Sequence, residues 1–141
     1  MIRKFALIFG IGYLLVGIMG FIPGLNQHSA DLHPISIEMA HGRLLGLFPV
    51  NVVHNLVHIL IGLWGILASR SIGGARLYAQ GLAIIYGLLA ILGLIPATDE
   101  LFGLAPIYSH DIWLHALSAI IAAYFGFVAR NTDGLPADAS R

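Results

Sequence analysis

The chain has no cysteine, and only 10% of its 141 residues are charged. The first absence excludes disulfides, thiolate metal sites, iron–sulfur clusters and cysteine nucleophiles, so any bound metal must take imidazole, carboxylate or carbonyl ligands. The second falls well short of the roughly 25% of an ordinary soluble domain. Seven Lys/Arg balance seven Asp/Glu, and no basic run or stripe is present to meet a nucleic acid. Also missing are a phosphate-cradling glycine loop, a His-Glu-x-x-His pair and a Ser-centred elbow. No catalytic residue is assigned, and an enzyme is not the expectation.

Apolar sequence is abundant instead, at 58% hydrophobic. Four apolar runs read as membrane-spanning helices at about 5–22, 49–68, 77–95 and 110–129, each near the ~20 residues needed to cross a bilayer. Pro49 suits the first turn of the second helix, and Ser109 or Asp111 can cap the fourth. The expected fold is all-α: an integral membrane four-helix bundle over residues 1–130, in a lipid bilayer, followed by a polar cytoplasmic tail, 131–141. The first run is longer than a signal-peptide core and is read as a retained helix.

Lys and Arg stay on the cytoplasmic side of membrane spans. With the N-terminus inside, Arg3, Lys4, Arg70, Arg76, Arg130 and Arg141 are cytoplasmic and only Arg43 is outside. Both termini are therefore expected in the cytoplasm. The outer loop, 24–48, mixes apolar and polar residues, and Ser36–Leu47 is expected as a short interfacial helix. Its His28, His33 and His41 lack regular ligand spacing and read as solvated loop histidines. Trp64, Trp113, Tyr108 and Tyr124 read as interfacial anchors.

Tyr13-Leu-Leu-Val-Gly-Ile-Met-Gly-Phe-Ile-Pro23 aligns without a gap on Tyr86-Gly-Leu-Leu-Ala-Ile-Leu-Gly-Leu-Ile-Pro96. In the partner helices His54-Asn-Leu-Val-His58 aligns on Asp111-Ile-Trp-Leu-His115. The chain thus reads as a duplicated helical hairpin, a parallel repeat with a pseudo-two-fold axis along the membrane normal. That symmetry sets His58 opposite His115. At a rise of ~1.5 Å per residue, both lie near the membrane midplane or just outside it. Helical spacing groups Asn51, His54, Asn55, His58, Gly62 and Gly65 on one face, and Asp111, His115, Ser118, Ala122 and Gly126 on another. Small residues favour close helix packing in lipid, so both faces are expected to point inward.

Ionisable groups at that depth need partners and mark a candidate site. Three readings stay open. Asp111 and the Asn51 and Asn55 amides satisfy His54, His58 and His115 as interhelical glue, as suits a structural or accessory subunit with a membrane-protein partner or a homo-oligomer. His58 and His115 hold a b-type haem as paired axial ligands. Or His54, His58, His115 and Asp111 bind a transition metal for electron transfer or sensing, with Asn51, Asn55 and Ser118 supporting.

The segments Gly46-Leu-Phe-Pro-Val-Asn51, His54-Asn-Leu-Val-His58, Gly62-Leu-Trp-Gly65, Asp111-Ile-Trp-Leu-His115 and Tyr124-Phe-Gly126 resemble the bacterial membrane family named domain of unknown function 4383. The resemblance covers nearly the whole chain apart from Gln27–Met39 and the tail. It implies a four-helix protein of the bacterial cell membrane and carries no reaction or ligand with it.

Overall fold

The computed structural model describes residues 1–129; the expected tail, with Arg130 and Arg141, lies outside the described residues. Four α-helices hold most of those residues: α1 (Ile2–Met19), α2 (Val52–Ala68), α3 (Ile72–Gly93) and α4 (His110–Ala123). A π-helical turn, Tyr124–Val128, extends α4.

Polar caps, rather than the limits of hydrophobicity, set where the helices begin. The Ser71 hydroxyl accepts from Gly74 N at 3.0 Å, so α3 starts at Ile72 and not at Leu77. Asn51, not Pro49, starts α2, because its side-chain oxygen accepts from His54 N at 3.0 Å. Pro49 belongs to a strand just before it. Neither expected cap serves α4: Ser109 stands at the N-cap with φ 62° but makes no side-chain cap bond, and Asp111 is buried.

The side-chain distribution inverts that of a water-soluble bundle. Ile8, Leu60, Ile84 and Ile120 are 65%, 65%, 66% and 68% exposed, whereas Asn51, His54, Asn55, His58, Asp111, His115 and Ser118 are all buried. Large apolar residues outside and polar ones inside is the arrangement that lipid, not water, stabilises. α1, α3 and α4 with its π turn are long and apolar enough to cross a membrane, and α2 is a shorter apolar helix of 17 residues.

α1 packs along α2, and α3 along α4, as two hairpins joined by the short turn between Ala68 and Ile72. Glycine sets the first interface. A Cβ would come within 2.7 Å of Ile66 N at Gly10, 2.6 Å of the Asn55 carbonyl at Gly17, and 2.5 Å of Leu14 N at Gly62. Arginines matched by the duplication make similar, though not equivalent, contacts. Arg3 donates to Ser69 O at 2.8 Å, and Arg76 to Ala129 O at 3.3 Å, each guanidinium bonding a carbonyl at the end of its partner helix. Gly62 presses on Leu14, while the matched pair reverses the sizes, Ala119 lying 3.9 Å from where Gly87 would carry a Cβ. Tyr13 and Tyr86, matched by the duplication, stack on one another at 5.1 Å.

The outer loop corrects one expectation. In place of a helix over Ser36–Leu47 there is a small antiparallel sheet of β1 (Asn26–Gln27), β2 (Gly42–Leu44) and β3 (Phe48–Val50). Ala40, Leu45 and Gly46 take φ of 55°, 53° and 72°, left-handed values that no continuous α-helix accommodates. The loop at 94–109 lies against the 24–48 segment, with Ser36 N donating to Gly103 O at 3.1 Å. Asn51 joins the two loops to α2 at this end of the bundle. Besides capping α2, its amide donates to Ile37 O at 2.9 Å and to Leu104 O at 2.8 Å.

Candidate functional site

On α2, spacing of four stacks the rings of His54 and His58, 4.5 Å apart and 10° from parallel. His54 Nδ1 lies 2.9 Å from Pro106 O, and His58 Nδ1 lies 3.0 Å from His54 O. A carbonyl only accepts, so in both rings Nδ1 carries the proton and Nε2 the lone pair. From α4, Asp111 Oδ2 comes within 3.8 Å of His54 Nδ1, and the His115 ring centres 6.3 Å from that of His54. One ligand atom from each of His54, Asp111 and His115 lies within 4.8 Å of the others. Asp111 Oδ2 and His115 Nδ1 are buried with no hydrogen-bond partner among the described residues, and the Tyr13 hydroxyl lies beside those of Tyr86 and Ser118.

The duplication extends into the site. Tyr13 packs on His58 at 5.4 Å, and its counterpart Tyr86 on His115 at 5.0 Å. Both tyrosines were visible in the repeat, but composition gave no reason to place them beside the histidines. The family model for domain of unknown function 4383 matches residues 3–128.

The chain belongs to this family. No curated protein and no solved structure matches it. The match spans all four helices of this member of the domain of unknown function 4383 family and both of its outer loops, Gln27–Met39 included.

Several expectations change on contact with the geometry. All seven candidate residues are buried as expected, but they do not satisfy one another as glue. His54 and His58 spend their N–H groups on backbone carbonyls, Asn51 spends its amide on the outer loops, and the Asn55 amide nitrogen has no partner among the described residues. His58 and His115 do not face each other across an open slot. The Tyr86 ring lies against both, at 6.4 and 5.0 Å, and the cavity lined by His54, His58, Tyr86 and His115 holds about 60 Å³. Ligand pockets typically span about 300–1,000 Å³, so a haem does not fit between these histidines in this packing.

Some aromatics and loop histidines also depart from the sequence reading. Trp64 is part-buried and packs edge-on against Tyr78 at 5.0 Å, and Tyr108 is buried rather than set at the surface as an anchor. His33 is no isolated loop histidine. It stacks on Tyr108 at 4.1 Å, with Glu100 at 3.3 Å and Asp99 at 3.9 Å from its Nδ1. The partners lie more than sixty residues away in sequence, beyond the reach of any local pattern. Burial holds the imidazole of His41 below its ordinary pKa, whereas His28 is exposed.

Proposed function

We propose that this protein is a multi-pass component of the bacterial plasma membrane, with both termini cytoplasmic, that binds a first-row transition metal ion through His54, Asp111 and His115. One observation carries this reading: a buried carboxylate oxygen and a buried imidazole nitrogen, both unpartnered among the described residues, stand beside a third buried ligand. An uncompensated carboxylate in the apolar interior is costly, and a divalent ion supplies the opposite charge while taking the lone pairs. Ligand atoms about 2.0–2.2 Å from a zinc-like ion lie ~3.5 Å apart, and one ligand atom from each of the three residues already lies within 4.8 Å of the others. The carbonyl bond on His54 Nδ1 fixes the tautomer that leaves the lone pair on Nε2, so a metal would need the His54 ring to turn Nε2, in place of the Nδ1 now 3.8 Å from Asp111 Oδ2, towards the carboxylate. With no sulfur ligand, zinc, copper(II) and iron match this donor set. His58, stacked on His54, and Asn51, Asn55 and Ser118 support the site. Copper or iron there suits electron transfer, and any of the three suits sensing.

The test is elemental analysis of untagged protein in mild detergent, together with absorption spectra in both redox states. One metal equivalent per chain is expected, lost in His115→Ala and Asp111→Asn. A folded, colourless, metal-free protein overturns the proposal and returns the histidines to a structural role in a larger membrane complex; a reducible Soret band lost in His58→Ala overturns it in favour of haem. Orientation is tested by a reporter fused after Arg141, and activity only outside the cytoplasm refutes it.

A further inference from the structure

The duplicated hairpin produces two lateral openings, one between α2 and α3 and one between α1 and α4, and the two have diverged. At the first, Tyr86 and His115 line the cavity of about 60 Å³, with Val57 and Leu89 at its sides. At the second, the matched residues Tyr13, His58, Leu114 and Val16 line a groove of about 310 Å³. Two differences enlarge it. Gly12 occupies the position of Ile85, and Ser118 that of Ile61. A Cβ on Gly12 would meet nothing within 4 Å, so the glycine is not there for helix packing. Its absent side chain opens the groove on the membrane-facing surface, where Ile8 and Ile11 are exposed.

No Lys, Arg, Asp or Glu lines this groove, which disfavours a phosphate or carboxylate head group. Its polar groups are neutral and lie at its floor. The Tyr13 hydroxyl lies beside those of Ser118 and Tyr86. The Ser118 hydroxyl both donates and accepts, and His58, whose Nδ1 is committed to His54 O, keeps Nε2 as an acceptor. The rings of Phe9, Tyr13 and His58 wall the groove with aromatic surface, which favours a flat ring in offset or edge-on contact. We infer that the α1–α4 groove binds a neutral, membrane-soluble phenol of the quinol class, entering from the bilayer, with a ring hydroxyl donating to His58 and the hydroxyls of Tyr13 and Ser118 completing its hydrogen bonds. Neither His54 nor Asp111 lines the groove, which shares with the proposed metal site only the supporting residues His58 and Ser118.

The experiment is equilibrium dialysis of decylubiquinol against the full chain in detergent, with native mass spectrometry for stoichiometry and metal analysis on the same samples. One saturable site per chain is expected. Gly12→Ile, which installs the residue of the other opening, should weaken binding at least tenfold while leaving the melting temperature and metal content unchanged. Tyr13→Phe and Ser118→Ala should each weaken it several-fold, and Ile85→Ala, on the opposite opening, should leave it unaltered. Absence of saturable binding, affinity unmoved by Gly12→Ile, or a co-purified phospholipid that the quinol does not displace would each overturn the inference.

Discussion

Asn51 ties the start of α2 to both of the loops that cover this end of the bundle. It is fully buried, and its side chain makes three hydrogen bonds: from His54 N at 3.0 Å, to Ile37 O at 2.9 Å and to Leu104 O at 2.8 Å. Alanine removes all three. Loss of an N-cap is worth about 1 kcal/mol, and each backbone carbonyl deprived of its donor adds about 1 kcal/mol. The expected destabilisation of Asn51→Ala is therefore about 3 kcal/mol, more than a hundredfold in the folded-to-unfolded ratio. Asn51→Ser separates the contributions, since a serine hydroxyl keeps the cap but does not span to both loops; about 2 kcal/mol should be lost. Reversible unfolding in mixed detergent micelles measures both values. A loss below about 1 kcal/mol for Asn51→Ala, or a serine variant as stable as the parent, would refute the bridging role. Limited proteolysis of the two outer loops should follow the same ranking.

Two more outcomes follow from the packing and the loops. Gly62→Ala places a methyl 2.5 Å from Leu14 N and should destabilise the α1–α2 hairpin by about 1–3 kcal/mol, whereas Gly87→Ala, whose nearest neighbour is 3.9 Å away, should be close to neutral; equal unfolding midpoints for the pair would show that close backbone approach is not what the first hairpin needs. In the outer loop, the Ser29 hydroxyl and the Arg43 guanidinium, the latter at 2.7 and 3.1 Å, hold the Asp31 carboxyl below its ordinary pKa. Because the folded value is the lower one, this contact contributes fully above the ordinary carboxylate range and fades as pH falls through the folded value. An NMR titration of Asp31 should show the depressed midpoint, and Arg43→Ala should raise it; a midpoint at or above the ordinary value contradicts the contact.

Much of the helical architecture was legible in one dimension because lipid imposes a simple constraint. Backbone groups must be satisfied within each spanning segment, which leaves long apolar runs in sequence. The polar stripe from Asn51 to His58 and that from Asp111 to Ser118 were readable as inward faces for a related reason: helical spacing puts them on one side, and lipid rejects them. The repeat announced itself through Tyr, Gly and Pro in register, and Arg3 and Arg76 turn out to make similar contacts at the other end of the bundle.

The structure alone decided how those faces are used. Whether Asp111 meets an amide or an imidazole depends on the separation of α2 and α4, and no spacing within either helix encodes it. The sheet in the outer loop rests on left-handed backbone at Ala40 and Leu45, two residues that rarely advertise that conformation. His33 finds Tyr108 and Glu100 only because two loops fold over the same bundle end. The sequence by itself determined the class of solvent, the helices and the duplication, since each follows from local composition and periodicity. Tertiary structure decided which buried groups are paired, which are left without partners, and which of two equivalent openings is wide, because these depend on distances between segments far apart in the chain.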